Sequence, residues 1–117
     1  MVLVDSITEI MPEDSGAIVV SGSHGGRSAA GFAAAQKALV YVFNDAGIGK
    51  DGAGIAGLDD LEHMGQAACC VAAITARIGE AQDTLASGII SAANPSAETA
   101  GFCVGRRVAD CVTDHAH

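Results

Sequence analysis

The stretch Ala17 to Arg27 reads Ala-Ile-Val-Val-Ser-Gly-Ser-His-Gly-Gly-Arg, an unbroken apolar run that passes at once into a small, polar, glycine-rich turn. An alanine-rich segment follows, from Ser28 to Ala38. Strand, glycine turn and helix form the unit with which open α/β sheets present chemistry at a strand's carboxyl end. A strand that is apolar at every position, here Ala17 to Ser21, fits a parallel sheet covered on both faces.

The rest of the chain repeats the pattern. Leu39 to Phe43 predicts a second strand and Ala67 to Ile74 a third, each β-branched or apolar along its length. Helices are predicted over Ala29 to Ala38 with Ser28 as N-cap, over Leu58 to Met64 closed by Gly65, and over Glu80 to Ser87 stopped by Gly88. Gly31, inside the first of these, predicts close packing on the sheet. A last helix is predicted from Asn94-Pro95 to about Val112, because Ala97, Ala100, Val104, Val108 and Cys111 recur at helical spacing. Val2 to Ile10 alternates imperfectly and reads as a first strand or a short extension. Met11 to Gly16 is a turn, and Ile89-Ile90 starts a short fourth strand or continues a turn. Gly47 to Gly57 is a long loop carrying five glycines, a length that marks functional or mobile segments. Alternation of this kind implies right-handed βαβ crossovers. The expected fold is one small three-layer α/β domain, Rossmann-like or flavodoxin-like, with a mostly parallel sheet.

Composition bounds the rest. Half of the 117 residues are hydrophobic, yet only 3% are aromatic and there is no Trp. The apolar mass is Ala, Val and Ile, which bury little area per side chain. Further surface is therefore predicted to be hidden in a homo-oligomer, with the Asn94 to Val112 helix as its interface element. The formal charge is −8 with six Lys and Arg, of which only Arg106 and Arg107 are adjacent. No basic face exists for a phosphate backbone, so nucleic acid is excluded as a partner. The four cysteines form no C-x-x-C pair, and Cys69 and Cys70 lie in an apolar run, so all four are expected to be reduced. Neither a secretory leader nor an apolar run near the ~20 residues of a membrane span is visible. The expectation is a cytoplasmic protein with no membrane partner.

Three strand ends deliver polar groups to one edge: Ser21 to Gly26, Asn44-Asp45, and Thr75 to Arg77. Ligands of open α/β sheets bind beyond that edge. His24 is the histidine placed there, and histidine is the side chain that exchanges protons near neutrality. The catalytic candidates are His24, Asp45, Ser23 and Ser21, a set with triad character but without a G-x-S-x-G elbow. The candidates for holding substrate are the backbone at Gly22, Gly25 and Gly26, then Asn44, Lys50 and Arg77. Glycines let the backbone approach an anion closely, and Arg77 suits a carboxylate or phosphate clamp. Each has a plainer reading: packing glycines, turn serines, a backbone-bonded histidine, a solvated lysine, and an Arg77 ion pair with Glu80 or Asp83. Neither the G-x-G-x-x-G spacing nor a P-loop is present. His63 reads as a surface residue, and His115 and His117 lie near the carboxyl terminus, so no metal site is expected. Nothing in the sequence names a cofactor. The reading is a small cytosolic enzyme acting on a small anionic metabolite, a hydrolase ahead of a lyase or isomerase. The alternative is a non-catalytic metabolite- or nucleotide-binding or assembly subunit.

Overall fold

A computed structural model describes residues 1–115; His117 lies outside the described residues. Five strands form one sheet: β1 (Val2–Val4), β2 (Ile18–His24), β3 (Val40–Asn44), β4 (Ala68–Val71) and β5 (Ile90–Ala93). They lie side by side in chain order, β1 to β4 parallel and β5 antiparallel to β4. The helices are α1 (Arg27–Ala33), α2 (Gly57–His63), α3 (Ala81–Ser87), α4 (Pro95–Thr99) and α5 (Val108–His115). The mostly parallel three-layer α/β architecture is as expected. Rossmann and flavodoxin sheets each reverse their strand order once and open a crevice at the reversal. This sheet runs straight through from β1 to β5 and has no such point.

Side chains on successive strand residues point to opposite faces, and both faces are apolar here. Val19, Tyr41, Phe43, Ala68 and Cys70 join α1 and α2 in one core, and Val20, Val40, Val42, Cys69 and Val71 meet Phe102, Val108 and Cys111 in the other. The alanines do what larger residues would prevent. Ala29, Ala30 and Ala33 bury the inner face of α1 against the sheet. Gly31 does not share in this: it is exposed, and a Cβ built on it meets open space. The expected close packing at Gly31 is thus supplied by the alanines beside it. Gly31→Ala is expected to stabilise the fold by about 0.5–1 kcal/mol, because an exposed helical glycine gives up more backbone entropy than alanine.

Several boundaries move, each for a tertiary reason. β2 continues through Ser21, Gly22 and Ser23 to His24, so the turn begins at Gly25. The Ser21 hydroxyl donates to the Val42 carbonyl at 2.8 Å and keeps the strand on its neighbour. The N-cap of α1 is accordingly Gly26, not Ser28. α1 stops at Ala33 because the following carbonyls are taken elsewhere. The Tyr41 hydroxyl donates to Gln36 O, Gly16 N–H to Lys37 O and Gln66 Nε2 to Ala38 O. β4 ends at Val71, since the Asp45 carboxylate takes Ala73 N–H at 2.9 Å and Thr75 folds back on Ala72 O. The expected Asn94 to Val112 helix is two. Asn94 does cap α4, accepting Ala97 N–H at 3.0 Å. Gly101 and Gly105 then turn the chain with φ near +90° and let segment 105–107 pair with β5. Val108 and Cys111 of α5 are buried in the chain's own core, while Val104 between the two helices is exposed.

Tyr41, the single tyrosine of the chain, is buried and stacks near Phe43 with ring centroids 6.0 Å apart. Burial, assisted by the Asp14 charge, pushes its phenol from 10.0 up to about 12. The unfolded chain therefore ionises first as pH rises, and stability is lost between about pH 10 and pH 12. Phenolate absorbance reports Tyr41 alone. We expect its midpoint near the higher value and coincident with alkaline unfolding, whereas a midpoint at the ordinary value would show a solvated ring.

Candidate functional site

The carboxyl ends of β1 to β4 meet at one rim, and there the chain packs on itself. Gly57 N–H donates to Gly25 O at 2.8 Å, Gly25 N–H to Asn44 O at 3.0 Å and Gly79 N–H to Gly22 O at 2.7 Å. A Cβ on Gly22 would run into Gly79 and Glu80, one on Gly25 into Cys70 Sγ, and one on Gly26 into the His24 ring. The three glycines predicted to cradle a ligand thus make room for the protein's own backbone. Glycines of the long loop do the same: a Cβ on Gly54 would overlap Asp45 O, and one on Gly57 would overlap Gly26 O.

Asn44 and Asp45 are buried and engaged. Asn44 Nδ2 donates to Ala76 O at 3.0 Å and Oδ1 accepts Ala46 N–H at 2.8 Å. Asp45 Oδ1 accepts from Gly47 N–H at 2.8 Å and Ala73 N–H at 2.9 Å, and Oδ2 from the Ser91 hydroxyl at 2.7 Å. The carboxylate fastens the ends of β3, β4 and β5, and no hydrogen bond joins it to His24. Ser21 is fully enclosed. Lys50 is exposed on the long loop. Arg77, six residues past the end of β4, points to solvent and stands 3.9 Å from Glu80, the ion pair that its sequence neighbours suggested.

Ser23 and His24 do come together, in a cavity of about 160 Å³ on the α1 side of the rim. Ser6, Ile7, Thr8, Ser28, Ala29 and Phe32 complete it. Ser23 Oγ accepts Ile7 N–H at 2.8 Å, which pins the 3-10 turn after β1 across the cavity. His24 Nδ1 accepts Gly26 N–H at 3.0 Å. With Nδ1 accepting that bond, the neutral ring carries its proton on Nε2, which is a donor. A nitrogen already accepting an N–H is poorly placed to take a proton, so the ring suits hydrogen-bond donation better than base catalysis. Ser6, Thr8 and Ser28 were not among the sequence candidates. Ser28 carried a visible signal as a helix-start serine, whereas Ser6 and Thr8 reach the cavity only because β1 pairs with β2.

A larger groove of about 450 Å³ lies between α2 and β5, with Ile55, Leu58 and Ala92 beneath Arg27, Asp51 and Asp59. None of the sequence candidates lines it. The cysteines are free thiols, and burial pushes the Cys69, Cys70 and Cys111 thiols up, which removes them as nucleophiles. Among the described residues no three His, Cys, Asp or Glu side chains are grouped so as to hold a metal ion, and no helix is long and apolar enough to cross a membrane. No known protein family matches the chain, and neither a curated protein nor a solved structure proves similar to it.

Proposed function

We propose that the chain binds a small anionic metabolite against His24, in the cavity that Ser6, Thr8, Ser23 and Ser28 line. One observation carries the reading. The Gly26 N–H bond to Nδ1 leaves Nε2 of His24 as the ring's donor, and Ser6, Thr8, Ser23 and Ser28 line the same cavity. Such a set satisfies carboxylate or phosphate oxygens without needing a net positive surface. A cavity of about 160 Å³ takes a group of a few heavy atoms. The reading that asks least of the geometry is a non-catalytic metabolite-binding subunit, since Asp45 and Ser21 are committed elsewhere. Enzymatic action, hydrolysis ahead of lyase or isomerase chemistry, is the second reading. It is favoured by the same neutral Nε2–H, which suits an oxyanion that develops on a bound carbonyl. The free thiols and the net charge of −8 support a cytoplasmic role without nucleic acid. The layering is shared with Rossmann-like and flavodoxin-like domains, whose strand-order reversal this sheet lacks.

His24→Asn separates the cases, because Asn Oδ1 can keep the Gly26 N–H bond while the Nε2 donor disappears. Thermal-shift titration with small carboxylates and phosphates is the measurement. A ligand at a hundred times its Kd adds about 2.7 kcal/mol, roughly 10 °C in a domain of this size. We expect one anion class to stabilise the wild type and not the variant. Turnover of that ligand, lost in His24→Asn, would move the enzyme reading to the front. A wild type that no small anion stabilises would sink both.

A further inference from the structure

The His24 cavity has an apolar wall that its hydroxyls leave unexplained. Phe32 lines it, one helical turn beyond Ser28 on the same face of α1, and its side chain is 52% exposed. The other aromatic residues of the chain, Tyr41, Phe43 and Phe102, are each at most 1% exposed. Single exposed apolar side chains are ordinary on a protein surface. Phe32 differs in its position: among the described residues it is the only exposed large apolar side chain in the lining of this cavity. Ile7 and Ala29, which also line it, are buried.

We propose that the anion held at His24 is the carboxylate of a small aromatic acid whose ring lies against Phe32. This rests on the anion reading of the cavity and adds the class of ligand. Three observations carry it. The first is the supply of donors. Ser23 Oγ accepts Ile7 N–H and so keeps its own proton to donate, in the same lining as the Nε2–H of His24. Ser6 and Thr8 share one bond between their hydroxyls at 2.8 Å, which leaves one proton of that pair to donate as well. Two carboxylate oxygens can accept such a set. The second is charge. Among the described residues no Asp or Glu lines the cavity. The carboxylates that flank the 6–8 turn are each held on a backbone N–H: Asp5 Oδ1 accepts from Ala81 at 3.0 Å and Glu9 Oε1 from Ser6 at 2.9 Å. The third is size. The cavity measures about 160 Å³, and one of about 150 Å³ receives a benzene ring. A single ring with its carboxylate fills the space. Covering Phe32 removes apolar surface from water, and offset or edge-on ring pairs attract each other beyond that burial.

The test is titration calorimetry of the whole chain with acetate, benzoate and cyclohexanecarboxylate, beside Phe32→Ala and His24→Asn. Phe32 is half exposed on a helix and alanine is a better helix former, so Phe32→Ala keeps the fold, which circular dichroism checks. We expect the wild type to bind benzoate at least tenfold more tightly than acetate. Cyclohexanecarboxylate, similar in size but puckered, is expected to bind at least threefold more weakly than benzoate. Phe32→Ala is expected to retain acetate binding and lose the preference for benzoate, whereas His24→Asn loses both ligands. A smaller preference for benzoate in the wild type, or one that survives in Phe32→Ala, overturns the aromatic class and leaves anion binding at His24 standing. Equal binding of benzoate and cyclohexanecarboxylate does the same. A wild type that binds none of the three carboxylates overturns the proposal, and the anion reading falls only if phosphate also fails to bind.

Discussion

Gly54→Ala is expected to cost about 4 kcal/mol or more, a large part of the total stability of a domain this size. The new Cβ would overlap the carbonyl oxygen of Asp45, with Ile48 O close beside it. Both neighbours are backbone, so no side chain can rotate away. Relief requires the 48–57 loop to lift off the strand ends, which breaks Ile48 N–H to Asp45 O and Gly57 N–H to Gly25 O together. Urea unfolding monitored by circular dichroism measures the loss, and Gly31→Ala, expected to change stability in the opposite direction, is the control for helix and glycine chemistry in general. A Gly54→Ala protein as stable as wild type would mean that the loop does not rest on Asp45.

Asp45→Ala is expected to cost about 3 kcal/mol, since it leaves Gly47 N–H and Ala73 N–H without their acceptor and the Ser91 hydroxyl with only the long bond to Cys70 O, in a partly buried place. Asp45→Asn should cost under about 1 kcal/mol. Its amide oxygen can accept both backbone N–H groups while its NH2 donates to Ser91 Oγ, which then serves as acceptor. The pair of variants distinguishes a fastening role from a chemical one. If Asp45 is the strut that its bonds describe, ligand binding at His24 survives Asp45→Asn, and any loss in Asp45→Ala follows stability. A variant that is fully stable as Asn yet inert toward a ligand that the wild type turns over would give Asp45 a part in the reaction instead.

The residues explain which features could be read before the fold was known. Val40 to Phe43 and Ala68 to Val71 are apolar on both faces, and that pattern has no stable home except a strand between two layers. Asn94-Pro95 and Gly65 act through local backbone chemistry, so the element ends beside them were legible; Gly88 also marks the end of α3, but there a Cβ would collide with Thr84 O and Val71. Ser21 and Asn44 misled because the property that made them candidates, a polar side chain at a strand end, also serves to satisfy neighbouring backbone. His24 and Ser23 share a cavity, as their proximity in sequence suggested, but its other wall comes from Ser6 and Thr8. Their place depends on β1 pairing with β2 across two 3-10 turns.

By itself, then, the sequence determined the two-faced strands, the bounds of α2 and α3 and the start of α4 to within a residue, and the gathering of polar residues at one edge, because period, capping and turn chemistry act over a few neighbouring residues. Only the tertiary structure decided that the glycines make room for backbone rather than ligand, that Asp45 is a strut, and that the last helical pattern breaks at Gly101 and Gly105. Each depends on atoms far apart in the chain competing for one space or one hydrogen bond, such as Gly54 against Asp45 and Arg106 O against β5.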